Sequence, residues 1–394
     1  MDLAFTSDQD LLRRTVREVA EREIRPHVRE WDDAQQCPRD LLLTLGELGL
    51  MGIQCPDAFG GAAMSSVDYC ICIEELARVD PSVSLTVAAH NGLGVAHIAM
   101  FGTDDQKRRY LPALARGQWL AAWGLTEASA GSDAGAMRAS ATRQGHDWVI
   151  NGTKQFITHG RTGDLIVVMA VTNRSKGSRG ITAFIVERGT AGFRAGKKEN
   201  KLGMRASETS EVIFEECRVP RSQMLGQEGQ GFVNALQVLD AGRIGIAALA
   251  VGLAQGAYEA ARSYAFERRQ FGQAIGTFQS IRAKLVDNAT RIAAARLLTY
   301  RAASMKDAGR RTTLEAAMAK LYSSEIAVRA SEDGVQIHGG YGFITDYPAE
   351  KFFRDVKLTT IGEGTSEIQR LVIARQLLQV PPTPPALAAH AGRG

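Results

Sequence analysis

Apolar positions in the first third of the chain recur at helical spacing. Leu12, Val16, Val19 and Ile24 share one face, and Ser7 with Asp10 three residues later resembles a capping signal. Ile71 and Glu74-Glu75-Leu76-Ala77, halted by Asp80-Pro81, mark a second helix. Thr103 to Gln106 opens a further one that should end by Gly117. The period then shortens to that of strands. Trp148 to Ile150 and Thr153 to Ile157 flank Asn151-Gly152, which reads as a tight hairpin turn because both residues tolerate positive φ. Leu165 to Val171, Ile181 to Val186 and Glu211 to Phe214 read as further strands. After Gly226 to Gly231 the helical period returns and runs to about Gln379, with Ala247 to Ala265 and Ile281 to Met305 as long helices packed through small side chains. The Pro-rich segment from Val380 to Gly394 reads as a disordered tail.

This α–β–α order predicts an α+β fold in parts: an N-terminal α-helical domain over 1–118, a middle β-domain over 119–228, a helical-bundle domain over 229–379, and the tail over 380–394. Composition narrows the chemistry by exclusion. A net charge of +4, from 47 basic and 43 acidic residues, forms no concentrated basic face, so nucleic acid is not expected as a partner. Five cysteines without a CxxC, and histidines without ligand spacing, speak against a metal or a disulfide framework and for a reducing compartment. The acidic N-terminus lacks the basic start and apolar core of a secretory leader, and the longest apolar run, Ile244 to Ala254, is short for a bilayer. A cytoplasmic protein without membrane contact is expected. No strand is followed by GxGxxG, since Gly92-Leu93-Gly94 lacks the third glycine, and there is no GxxxxGK[ST] loop.

Six segments, in order and correctly spaced, resemble the acyl-CoA dehydrogenase family. Leu125 to Asp133 is similar to its TEPxAGSD loop, and Phe156-Ile157-Thr158 to its WIT element. Asp240 to Arg243 matches the segment beside the thioester, and Glu267 to Gly272 with Phe278-Gln279 matches the dimer-related cofactor contacts. Gln336 to Gly342 resembles QIxGGxG, and Ile361 to Thr365 stands where the family has IYEGT. Leu239 to Ala247, Ala316 to Leu321 and Gly364 to Ala374 look most like the short-chain, butyryl-CoA type members.

The resemblance implies the family's fold: N-terminal helices, a small middle β-barrel or sandwich, and a C-terminal four-helix bundle. It also implies FAD-dependent α,β-dehydrogenation of a short straight or α-branched acyl-CoA to the trans-2-enoyl-CoA. Electrons would pass to an electron-transfer flavoprotein, and the enzyme would be a homo-oligomer, as a tetramer built from two dimers. Glu363 is implied as the base for the α-proton; burial beside an acyl chain would raise its pKa toward neutrality. Its own N–H and a ribityl hydroxyl would hold the thioester oxygen. Leu125, Thr126, Phe156 and Thr158 are implied around the flavin ring, and Thr365 and Glu367 as further cofactor contacts. Arg268, Gln270, Phe271, Gln279, Gln336, Gly339 and Gly340 would form a half-site for a neighbouring subunit's FAD. Ser132, Asp240, Arg243 and Gly364 are implied at the substrate.

Plainer roles compete. Glu363 could cap the helix that follows, Arg243 could serve a structural ion pair with Asp240, and Glu267-Arg268-Arg269 could be a solvated helix end. Some relatives carry their base immediately before the arginine; here that position is Gly242. Three departures from the family pattern stand out: Ala128 for proline, Phe156 for tryptophan and Gly362 for tyrosine. Together they predict a roomier or differently shaped acyl pocket. Phe156 also keeps open an oxygen-using relative, an acyl-CoA oxidase or a flavin monooxygenase-like enzyme.

Overall fold

A computed structural model describes residues 4–378; the expected tail lies outside them. The chain begins with α1 (Ser7–Val19), whose Val16 and Val19 are buried. Its capping box is Thr6 with Gln9, one residue before the expected Ser7–Asp10 pair. Thr6 holds the extended backbone of a cap while Ser7 is already helical, and the Gln9 amide oxygen reaches back to the Thr6 N–H. Helix α2 (Ser66–Val79) is capped by Ser65 and Asp68. It stops at Asp80, whose side chain accepts from the Ser82 N–H to start α3 (Pro81–Ala89). Helix α4 (Asp104–Ala115) opens on Thr103 and Gln106, as its sequence predicts.

The middle of the chain is one eight-stranded sheet: β1 (Ala121–Gly124), β2 (Ser140–Gln144), β3 (Asp147–Thr158), β4 (Leu165–Val171), β5 (Ile181–Glu187), β6 (Phe193–Lys198), β7 (Thr209–Pro220) and β8 (Met224–Leu225). The order is β6-β7-β3-β2-β4-β5-β8, with β1 parallel to β4. Asn151-Gly152 is no hairpin turn: both residues lie inside β3, where the register to β7 slips between Ile150 and Gly152. A side chain at Gly152 would meet Ala139 at 2.6 Å, so the glycine serves a bulge with a close backbone neighbour. The two-residue turn is Gly145-His146, since Gln144 pairs with Asp147. One face of the sheet packs Val167, Met169, Ala183 and Ile185 against Ile98, Leu111 and Ala235 from the surrounding helices.

After the sheet come the long helices α5 (Gly231–Glu267), α6 (Gln279–Asp307) and α7 (Thr313–His338) and, at the end of the described chain, α8 (Ser366–Leu378). Helix α5 lies against α2 so closely that a Cβ at Gly252 would stand 2.1 Å from the Glu74 carbonyl and one at Gly256 2.2 Å from that of Arg78. Charges buried at this seam are paired: Glu75 with Arg17 and Arg78, and Glu74 with Arg296 and Tyr300. Pairing is what makes such burial tolerable. Two helical stretches, Pro81–Phe101 and Gly231–Glu267, are by length and hydropathy long enough to cross a bilayer, the second enclosing the run Ile244 to Ala254. Most of each is buried inside the protein, which is the usage of a core helix.

Candidate active site

The loop before α8 carries Glu363 and Gly364 at consecutive positive φ values of 52° and 97°. For a glutamate that conformation costs about 1 kcal/mol, and the surroundings must hold it. They do so from two sides. The Lys320 ammonium on α7 donates to the Gly364 carbonyl at 2.7 Å. The Gln369 amide donates to the same oxygen at 3.0 Å and to the Glu363 carbonyl at 3.3 Å. The capping role competing for Glu363 falls to Thr365, whose hydroxyl accepts from the Ile368 N–H at 3.3 Å.

The Glu363 carboxylate is therefore free of structural duty. Its Oε2 is buried and, among the described residues, has no hydrogen-bond partner. It rests on α5 at Gly242, where an added Cβ would come within 2.2 Å. Burial pushes the Glu363 carboxyl up to about 7, against the pull of the Lys320 and Arg243 charges. Tyr69 of α2 stands nearby: burial and the Glu363 charge push its phenol well above its ordinary range. Its hydroxyl fills the space beside Gly245 and Gly92.

Arg243 is buried and bonded to Asp240, which in turn accepts from the Thr313 hydroxyl at 2.8 Å. The structural pair is thus real, while the Arg243 Nε has no partner among the described residues. Gly362 leaves space: a Cβ there would make ordinary contacts with Leu358.

A second group lies along the sheet. The β3 backbone is irregular between Lys154 and Ile157, which sets Phe156 at φ 59° with its ring 63% exposed. The Gln155 N–H donates to the Thr126 carbonyl at 2.8 Å, tying the two expected flavin segments together. Beneath them Lys154, wholly buried, donates to the Leu125 carbonyl and to Glu127 at 2.8 Å. Burial alone would raise Glu127, but Lys154 and the Arg138 and Ala139 N–H groups bring it below its ordinary range. The hydroxyls of Thr126 and Thr158 are half-buried, and the protein uses neither in a hydrogen bond among the described residues. Ser132 is exposed on the loop that follows Thr126. His159 has a turn backbone at φ 61° and is buried, bonded through Nδ1 to the Ala121 carbonyl.

A third group sits at the far end of α5. Arg268, Gln270, Gly339, Gly340, His338 and Tyr341 line a cavity of about 470 Å³, with the guanidinium 5.4 Å from the centre of the Tyr341 ring. Nothing would meet a side chain at Gly339 or Gly340, so the backbone there is open to a ligand. Gln336, Phe271 and Gln279 are exposed near it without lining it, Phe271 at the tip of a two-residue turn. Thr365 has its hydroxyl spent on the cap, and Glu367 is exposed on the first turn of α8.

These residues fit a dinucleotide flavin in two pieces. Unclaimed hydroxyls and an exposed aromatic ring lie together on the loop after β1 and the end of β3, and a guanidinium beside bare glycine backbone suits phosphate oxygens. Sequence reasoning missed Lys320, Gln369 and Tyr69. For Lys320 a signal existed: a single lysine directly after the apolar run Ala316-Ala317-Met318-Ala319 on a helix.

Comparison with known proteins shows what the whole chain is similar to. The family models for the N-terminal, middle and C-terminal domains of acyl-CoA dehydrogenase match residues 6–118, 122–217 and 229–378. The short-chain specific acyl-CoA dehydrogenase of Clostridium acetobutylicum is 44% identical over 379 residues, 96% of this chain and 100% of that protein. The butyryl-CoA dehydrogenase structure from Megasphaera elsdenii superposes with a TM-score of 0.94 at 41% identity, covering 96% of this chain and 100% of that one. A chain in a structure of the electron-transferring flavoprotein of Acidaminococcus fermentans matches with a TM-score of 0.95 at 45% identity, over 96% and 100%.

Proposed function

Because the chain belongs to the acyl-CoA dehydrogenase family, a family of FAD-dependent oxidoreductases, we propose that it oxidises a short acyl-CoA to the trans-2-enoyl-CoA with Glu363 as the base. The observation that carries this reading is the Glu363 carboxyl itself: its Oε2 is buried and, among the described residues, without a hydrogen-bond partner, and desolvation pushes it up to about 7. An unsolvated carboxylate of that basicity is suited to taking a proton from a carbon acid near neutral pH.

Each remaining role belongs to this chain's residues. The left-handed turn at Glu363 turns its side chain onto Gly242 while freeing its N–H, the donor proposed for the thioester oxygen. Arg243 and Asp240 brace the wall beside it, and Ser132 and Gly364 contact the substrate. Leu125, Thr126, Phe156 and Thr158 hold the isoalloxazine edge, with Thr365 and Glu367 at its margin. Arg268, Gln270, Phe271, Gln279, Gln336, Gly339 and Gly340 receive the pyrophosphate end of FAD from a second copy of the chain. FAD, when bound, supplies the acceptor for the hydride that leaves the β-carbon. The Glu363 carboxylate takes the α-proton, so the substrate loses two hydrogens and gains a double bond.

The same reading makes the protein a cytoplasmic homo-oligomer, a dimer of dimers, that passes its electrons to an electron-transfer flavoprotein. The domain limits 1–118, 119–228 and 229–379 belong to it as well. Short acyl chains are supported by the likeness to the Clostridium and Megasphaera enzymes. The test is anaerobic bleaching of the bound flavin by a panel of acyl-CoAs, in the wild type and Glu363→Gln. Fast bleaching by one short substrate, lost in the variant, supports the reading. Bleaching that survives the substitution removes Glu363 as the base.

A further inference from the structure

Lys320 is wholly buried and, among the described residues, makes no salt bridge. A buried ammonium without a paired carboxylate is expensive, and proteins keep one where it has work to do. Its surroundings on α7 are small (Ala316, Ala317, Ala319, Ser323 and Ser324 are all buried), so they leave room for the stem to reach inward. It reaches the Gly364 carbonyl, one residue beyond Glu363.

We propose that Lys320 is a positioning residue for the base: its ammonium clamps the left-handed Glu363–Gly364 turn and supplies the positive charge that keeps the Glu363 carboxylate ready to take a proton. This rests on Glu363 as the base. Gln369 holds the same turn from α8 but carries no charge.

The charges around the pair are few. Glu363 faces Lys320 from α7, Arg243 from α5 and the Tyr69 phenol from α2. Lys320 faces Glu363, Glu367 and Arg243. Arg243 is matched by Asp240 one turn away, and Glu367 is exposed to solvent. Lys320 is thus the unmatched cation of the site, and Glu363 the unmatched anion. Burial brings Lys320 down to about 8, close to Glu363 at about 7, so the two charges depend on each other.

The experiment follows the Glu363 carboxyl by infrared spectroscopy in the flavin-loaded, substrate-free enzyme across pH, the band being identified by its loss in Glu363→Gln. Lys320→Gln keeps a donor for the Gly364 carbonyl but no charge, Lys320→Met keeps neither, and Lys320→Arg keeps both. The half-protonation pH should rise by about one unit, a tenfold gain in proton affinity, in the Gln and Met variants and stay in place in the Arg variant. The low-pH limb of the anaerobic bleaching rate should move with it. If Met prevents folding, Gln carries the test alone. A flavin-loaded Lys320→Gln enzyme whose Glu363 titrates where the wild type does overturns the proposal. The readouts separate two failures: bleaching that survives Glu363→Gln sinks the base, while the infrared titration speaks to Lys320 without turnover.

Discussion

Gly242 and Glu363 cannot both carry a side chain at this site: a Cβ on Gly242 would stand 2.2 Å from Oε2 of the glutamate. The bare α5 backbone is the seat of the carboxylate. The position where some relatives carry their base is therefore empty here for a steric reason as well as a chemical one. Gly242→Ala should push the carboxylate off its seat and slow anaerobic flavin reduction about 100-fold, the usual result of a misplacement near 1 Å. Retained flavin and an unchanged thermal midpoint would show that the fold is intact. A rate within threefold of wild type would mean that the carboxylate works from elsewhere.

The pH dependence follows from the same burial. The Glu363 carboxyl is raised from 4.5 to about 7, so the folded state holds the proton more tightly than the unfolded chain. Its effect on stability is absent below about pH 4.5, grows as a penalty between about 4.5 and 7, and is constant above that. Glu363→Gln should raise stability by about 3 kcal/mol at pH 8 and by less than about 1 kcal/mol at pH 5, read by denaturant unfolding at both values. In the wild type, flavin reduction should rise with pH through about 7.

Arg268 stands over the open backbone of Gly339 and Gly340. Arg268→Ala should weaken flavin retention by 10- to 100-fold, about 1.5–3 kcal/mol for a charge-assisted contact. Fluorescence of released flavin on dilution measures it. Retention equal to wild type would return Glu267-Arg268-Arg269 to its reading as a solvated helix end.

Lys154 and Glu127 form a buried pair under the flavin segments. Lys154→Met strands the Glu127 carboxylate and should cost about 3 kcal/mol of stability, with part of it recovered in the double variant Lys154→Met/Glu127→Gln. Denaturation midpoints of the four proteins close the cycle.

Where the sequence misled, a neighbour distant in the chain had decided the matter. Asn151-Gly152 has the composition of a turn, but β7 pairs with β3 on both sides of it and Ala139 crowds the glycine, so the strand continues through a bulge. The Thr6 cap was displaced by one residue, since backbone angles rather than composition say where a helix starts.

The sequence alone determined the helical, then β, then helical order of the chain and the motifs of the family, because short-range spacing and residue type are enough for both. It also named Glu363 from the residues around it. The tertiary structure decided what surrounds that carboxylate. Lys320 lies 43 residues before Glu363, and Gly242 lies 121 before it. A pKa depends on which charges and which solvent lie within a few ångströms. Separation along the chain carries no such information, and only packing brings α5, α7 and the last loop to one point.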